Sequence, residues 1–469
     1  MGIAGEVSGG QRATGGRGIT RSMRSRKQRG AALWTRRWLL ASPAAGGALA
    51  LAACGQSGAG GASGDPARQA RPAAIKVLMG TAGAVPILDA LKSSFKAAYP
   101  SITPEYEEIS GTGPQQQKIL SYAAAGTLPD VLPLHPAYMS DIAEREILLD
   151  LQPLGVKDRS VDLADFYTGV ADHFRHKGVL YGLPWNSGPS IIYFNRTLLE
   201  RLGIKLPDQR EKEGRWDWAA LQEVARAATS GTGGTMGFQG PNLALDWMDA
   251  WIWQAGGDVF SKDLKKCLLA EPPAIAAVQY LADLYTKDRV VPMGDQERDF
   301  PNGLESGKVA LRFGNKDQAI VIHKAAEQNN FQPGLAPTPK GRGGRANRDG
   351  PQANGIARAT REVDAAWAHA KHMSGLETQK LRLAANLTTP VRKSAAKTSE
   401  FTGSLLAWES AAFWQDAADT TRGLAKPARY TDINTAWRAT FDKVLGGGQA
   451  VRPAMEDLVR QVDALLAGS

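Results

Sequence analysis

The chain has 469 residues, 43% of them hydrophobic and 22% charged, with a formal net charge of +9. That length suits two ordinary domains, and two cysteines are too few for a disulfide-built scaffold. Residues 1–37 hold nine Arg or Lys against one acid, Glu6, so only about +1 is left for everything after them. A nucleic-acid binder needs its basic surface on the folded domain, and here the basicity lies in the leader.

Thr35-Arg36-Arg37 stands before sixteen uncharged residues, Trp38 to Ala53, which lead into Cys54. A basic flank, a short apolar stretch and small residues before a cleavage point are the parts of an export signal. The stretch is diluted by Ser42, Pro43, Gly46 and Gly47, and it falls short of the roughly 20 residues that span a bilayer. Leu51-Ala52-Ala53-Cys54 resembles the lipobox of bacterial lipoproteins. That resemblance implies that residues 1–53 are removed and that Cys54 carries lipid as the new N-terminus. Arg36-Arg37 followed by Trp38-Leu39-Leu40 also resembles the signal of the twin-arginine route, which carries folded proteins. The expected location is outside the cytoplasm, lipid-anchored at the outer face of the cell membrane or in the periplasm. Cys267 is then the remaining thiol, expected to be buried or half-buried.

Residues 54–74 are Gly, Ala, Ser and Pro with few large apolar side chains, and read as a flexible tether. Ile75 to Met79 reads as a buried strand followed by a Gly-rich loop, and Leu88, Leu91, Phe95 and Tyr99 as a helix stopped by Pro100. A strand at Tyr106–Ile109, a helix at Pro114–Ala125 capped by Gly126, and a strand at Pro129–Leu132 continue the alternation. This order points to a parallel, helix-covered sheet, in which ligands sit at the carboxyl ends of the strands. Farther on, Ser190–Phe194 and Val309–Phe313 read as strands. Ala219–Ala228, Pro272–Lys287, Val363–Met373 and Ala454–Leu466 read as helices, and Pro337–Gly350, rich in Gly and Arg, as a mobile surface loop.

The order of segments resembles the solute-binding proteins of ABC importers, the family that includes maltose-binding protein. The residues that carry the resemblance include Tyr99-Pro100, Ala124 to Val131, Tyr181-Gly182-Leu183-Pro184 and Ile192-Tyr193-Phe194-Asn195. Leu202-Gly203-Ile204, Trp216-Asp217, Gly256-Gly257 and Phe300 to Leu311 complete them. Their shared order, more than any one of them, is specific. The resemblance implies an α/β, periplasmic-binding-protein-like type II fold, two lobes joined by crossover hinge segments with ligand held between them. Crossovers map to about Pro184–Pro189, Gln352–Gly355 and Pro390–Arg392. Lobe one is then residues 75–185 plus 355–390, and lobe two residues 186–354 plus 391–469. The implied function is capture of a carbohydrate and its delivery to ABC permease subunits served by a cytoplasmic ATPase. The alternatives are another polar solute, such as a polyol phosphate or a polyamine, or a secreted glycoside-acting enzyme. No cofactor, metal or nucleic acid is expected.

Twelve Trp offer broad rings against which a sugar face can lie. Trp185 and Asn186 stand on the first crossover, where Trp185 is expected either to touch ligand or to pack the hinge. Trp247 and Trp251 are four apart and share a helix face, a pattern that also fits core. Polar candidates follow predicted strands: Gly83 after the first, His135 and Tyr138 after the third, Arg312 and Asn315 around the end of the Val309 strand. Asn354 lies on the second crossover. Nothing resembles a hydrolase elbow or a zinc helix, and Glu107 and Glu108 are neighbours on a strand that point to opposite faces. His173 with His176, and His369 with His372, are incomplete zinc sets and are expected on helix surfaces.

Overall fold

A computed structural model describes residues 72–81, 87–230, 234–241, 243–300, 302–423 and 426–468. Cys54, the export signal, most of the tether and Gly83 lie outside those residues. Among the described residues eleven strands are present: β1 (Ala73–Gly80), β2 (Ile102–Ile109), β3 (Val131–Leu134), β4 (Arg175–His176), β5 (Val179–Leu180), β6 (Leu183–Asn186), β7 (Ile191–Asn195), β8 (Met236–Gln239), β9 (Val309–Gly314), β10 (Pro333–Ala336) and β11 (Gln352–Ile356).

The first sheet has the order β2-β1-β3-β11-β6, with β2 and β3 parallel to β1 and β11 antiparallel to both its neighbours. Its inner strands β1 and β3 are covered on both faces and carry apolar runs, whereas the edge strand β2 holds three Glu and is largely uncovered. Val77 and Met79 join a core with helices Leu88–Ala98 and Val363–Met373. Leu78, Leu132 and Leu134 join another with Ile119, Tyr138 and Ile142. Helix Leu88–Ala98 buries Leu88, Leu91 and Phe95, one stripe at helical spacing. Helix Thr112–Ala125 ends on Gly126 at φ 66°, a left-handed cap that favours glycine.

The second sheet has the order β10-β7-β9-β8, with β8 and β9 parallel and the other pairs antiparallel. Along β7 the period of two is plain. Ile192 and Phe194 face a core built with helices Trp218–Ala228, Leu245–Gln254, Pro272–Thr286, Tyr430–Leu445 and Val451–Ala467. Ile191 and Tyr193 face the opposite way, toward Ala319, Ile322, Phe401 and Trp414. Cys267 is buried in the larger core, and burial pushes its thiol pKa up to about 12.

The chain passes between the sheets at residues 187–190 and again at 337–351. The second passage ends where β11 begins, so Gln352–Gly355 is strand and not crossover. The segment from Pro337 to Gly350 departs from the expected mobile loop. Ala346, Asn347, Arg348 and Asp349 are all buried. Asn347 Nδ2 donates to the Ala417 carbonyl at 3.1 Å, and Arg345 pairs with Glu211 at 2.6 Å. Residues 346–349 therefore form a packed passage, while Arg342 stays exposed and Arg345 is held by Glu211. A third passage lies at residues 385–394, after helix Leu376–Ala384, and at its far end Lys393 N–H and Ser394 N–H bond to Asp165, at 2.7 and 2.8 Å.

Candidate functional site

The three passages are tied together at one place. Ser187 Oγ donates to Asp349 Oδ2 at 2.5 Å, and the Gly188 N–H donates to Asp349 Oδ1 at 2.8 Å. Ser190 N–H donates to the Arg348 carbonyl at 2.9 Å, and Arg348 N–H donates to Ser190 Oγ at 3.1 Å. The third passage joins through Ser187 N–H to Thr388 Oγ1 and Thr389 N–H to the Ser187 carbonyl, each 3.0 Å. Burial raises the Asp349 pKa above the ordinary carboxyl range, opposed by the donors from Ser187 and Gly188.

This clasp fixes where Arg348 sends its side chain. The residue is 3% exposed, and its guanidinium lies 4.3 Å above the centre of the Trp247 ring. Asp246 Oδ2 lies 3.8 Å from Arg348 Nη2 and 3.9 Å from Lys426 Nζ. Both distances are too long for hydrogen bonds. Arg348 Nε and Nη1 have no hydrogen-bond partner among the described residues.

Groups from the first half of the fold share the same field. His135 caps helix Pro136–Glu144, with Nδ1 accepting from the Ala137 N–H at 3.1 Å. Burial, helped by the charge on Lys426, holds its pKa down at about 3. His173 is pushed well below its ordinary value by burial and the same cations, and both of its ring nitrogens are unpartnered among the described residues. Burial opposes ionisation of Asp246, but the Lys426 and Arg348 charges outweigh it and leave the pKa lowered. Asp249, deeper on the same helix, is raised by burial to about 7. The arrangement can therefore bind and orient a polar molecule. Among the described residues, no group of three or more His, Cys, Asp or Glu could hold a metal ion.

A model of the bacterial extracellular solute-binding protein family matches residues 73–380. The chain belongs to that family. The solute-binding protein has the α/β, type II fold of periplasmic binding proteins, with two lobes joined by crossover segments. In fold it is similar to an ABC substrate-binding protein from Listeria monocytogenes in complex with cycloalternan (TM-score 0.74, 17% identity, 84% of this chain and 99% of that one). It is also similar to the GacH receptor of Streptomyces glaucescens, known unliganded and with acarbose (TM-score 0.71, 20% identity, 84% and 98%). In sequence, a provisionally named binding protein of Brucella abortus is 24% identical over 259 residues, 55% of this chain. That match spans 60% of the relative's own length.

Within the solute-binding protein, the residues singled out from sequence fall in different places. Trp247 and His135 belong to the polar cluster around Arg348. Asn186 and Asn315 line a separate cavity of about 70 Å³ with Asp317 and Gln352, at the foot of the passages. The Asn315 carbonyl accepts from Tyr193 Oη at 2.8 Å, while its Oδ1 is unpartnered among the described residues. Trp185 is 4% exposed, with the Arg382 guanidinium 4.4 Å above its ring and its carbonyl accepting from Gln379 Nε2 at 2.7 Å. A ligand reaches that ring only if Arg382 moves. Tyr138 is buried, its Oη 2.9 Å from Gln115 Oε1 and 3.0 Å from the Pro133 carbonyl. Asn354 is buried within β11, and Arg312 is paired with Glu305.

Trp251 is enclosed in the second lobe, with Trp218, Tyr280 and Phe313 around it. In this conformation it presents no surface to the cleft. The four histidines also depart from the surface placement expected of them. His173, His176 and His369 are buried, and His372 packs against Phe95 and Tyr99. His176 is in a strand, where Glu144 takes its Nε2 at 2.6 Å. Arg348, Lys426, Asp246, Asp249 and His173 carry no signal in the sequence that marks them as ligand candidates. Arg348 is hidden in the stretch that reads as a loop, and the others lie on elements far apart in the chain.

Proposed function

We propose that this solute-binding protein captures a carbohydrate between its two lobes and delivers it to the permease of an ABC importer. The observation that carries this reading is Trp247, half-buried, with the polar groups Arg348 and Asp246 beside its ring. An aromatic face beside convergent donors and acceptors matches a sugar, which has an apolar C–H face and hydroxyls at its rim. The named ligands of the two similar folds, cycloalternan and acarbose, support the same class. The solute is held and returned unchanged, so the protein is a carrier and not an enzyme. The lobes are residues 75–185 plus 355–390 and residues 186–354 plus 391–469, and they close on the solute.

The same reading places the mature chain outside the cytoplasm on a lipid attached to Cys54, after export by the twin-arginine route. No helix among the described residues is long and apolar enough to cross a membrane. A thermal-shift screen over oligosaccharides, polyols and polyamines tests the solute class. Binding to the native state alone stabilises by about 2.7 kcal/mol at a hundredfold excess over Kd. A rise in Tm with oligosaccharides, which are recovered intact, is expected. A rise with polyamines alone contradicts the carbohydrate reading.

A further inference from the structure

The cluster around Arg348 has an imbalance that a neutral sugar does not correct. Arg348 and Lys426 can only donate hydrogen bonds, and both are buried, at 3% and 6% exposure. The carboxylate between them, Asp246, lies 3.8 and 3.9 Å away, near enough to share the field but not to accept from either. Two nitrogens of the Arg348 guanidinium remain unpartnered among the described residues. His135 and His173, which face the same charges, add no anion. Asp249 is raised by burial to about 7, so it supplies at most part of a negative charge near neutral pH. Burial also lowers the Lys426 pKa, opposed by Asp246 and Asp249, while Arg348 stays charged. A hydroxyl can accept from Arg348, but it leaves the surplus positive charge buried and uncompensated. An oxyanion supplies acceptors and charge together, in the short charge-assisted bonds that guanidinium forms best.

We propose that the cleft selects a sugar bearing an anionic oxygen group, a carboxylate or a phosphate ester, which Arg348 and Lys426 hold while Trp247 lies against the ring. This rests on the carbohydrate reading and names the kind of carbohydrate. The Arg348 guanidinium covers one face of the Trp247 indole at 4.3 Å, so on that face the sugar meets the ring as the guanidinium turns to the anionic group.

The test compares matched probes by thermal shift and calorimetry on the mature chain. The probes are glucose with glucuronate and glucose 6-phosphate, galactose with galacturonate, and maltotriose, glycerol 3-phosphate and inorganic phosphate. At least one acidic sugar is expected to bind tenfold or more tightly than its neutral partner. Arg348→Gln and Lys426→Gln, each checked for folding by circular dichroism, are expected to reduce that preference below threefold. Raising salt weakens the acidic probe more than the neutral one. Neutral sugars binding as well as their acidic partners overturn the inference and leave the carbohydrate reading standing. Glycerol 3-phosphate or phosphate binding as tightly as the sugar phosphate, with no sugar contribution, contradicts the carbohydrate reading and keeps the anion site. Failure of every acidic probe to bind overturns the inference outright.

Discussion

Asp349 and Ser187, 162 positions apart, are joined by a hydrogen bond of 2.5 Å at the point where two passages between the sheets meet. The same carboxyl takes the Gly188 N–H on its other oxygen. Asp349 therefore sets the spacing of the passages, and Arg348 beside it inherits its direction. Asp349→Ala leaves Ser187 Oγ and the Gly188 N–H without their acceptor in a buried setting. A stability loss of about 2–4 kcal/mol is expected in chemical denaturation, because two bonds to one acceptor are lost together. A loss below about 0.5 kcal/mol, less than one ordinary hydrogen bond contributes, shows that the passages are held by something else.

Trp185 is held from both sides, by Arg382 over its ring and by Gln379 on its carbonyl. Trp185→Ala removes a large buried side chain and uncovers a guanidinium whose Nε and Nη1 already lack partners among the described residues. Stability of the unliganded protein should fall by about 3–5 kcal/mol, the range for a buried Trp cut to Ala. If stability is unchanged and solute affinity drops tenfold, the ring is a ligand contact after Arg382 swings away.

Histidine burial predicts acid sensitivity. His369 sits against Phe95 with both ring nitrogens unpartnered among the described residues, and burial holds its pKa at about 3. A depressed folded pKa means that the unfolded chain binds the proton first, so stability is lost as pH falls below about 6.5. Between pH 6.5 and pH 5 this one residue accounts for about 1.5 kcal/mol. Asp249 acts in the opposite sense. Its folded pKa, raised to about 7, stabilises fully below the unfolded carboxyl value and is lost as pH rises toward 7. Denaturation curves at pH 5 and pH 7.5 separate the two. His369→Leu should flatten the acid side, and Asp249→Asn should gain stability at pH 7.5.

Closure of the lobes should depend on solute. In this conformation they touch, for example where Thr431 Oγ1 meets Gln116 Oε1 at 3.1 Å. Closing also buries the Arg348 guanidinium and the His173 ring without partners, at about 1–3 kcal/mol for each unsatisfied group. Water relieves that cost in an open form, so solute is needed to make the closed form dominant. Small-angle scattering should show a smaller particle with solute bound than without. Equal dimensions in both states contradict a solute-driven hinge.

Export is tested on the precursor. Cys54→Ser should release the protein from membranes or leave it uncleaved, and Arg36→Lys with Arg37→Lys should block export. Membrane retention of a mature-length Cys54→Ser variant contradicts lipidation, and normal export of the double Lys form contradicts the twin-arginine route.

Much of the framework was legible because it depends on local pattern. The apolar runs of β1 and β7, the Leu88-Leu91-Phe95 stripe and the Gly126 cap each specify their element within a few residues. Helix Val363–Met373 has the bounds that its apolar spacing implies. The site was less legible, since its members come from five separate segments. Trp247 and Trp251 share one helix and both meet Phe313, yet only Trp247 lies under Arg348, while Trp251 is fully buried against Trp218 and Tyr280. Which ring faces the cleft depends on the packing of that helix against β9, which spacing alone does not encode. Arg348 is obscured by neighbouring glycines that here fit close backbone contacts: a Cβ on Gly341 would stand 2.2 Å from the Gln254 carbonyl oxygen.

On the proposed reading, solute lies between the lobes against Trp247, beside Arg348. Isothermal titration of Trp247→Ala with a sugar that binds the unaltered protein tests it most directly. If the ring hides about 60 Å² of apolar sugar surface at roughly 25 cal/mol per Å², its loss costs about 1.5 kcal/mol, around tenfold in Kd. That tenfold or greater weakening is expected, with the protein still folded by circular dichroism. Unchanged affinity in a folded Trp247→Ala protein would contradict it and move the solute site elsewhere.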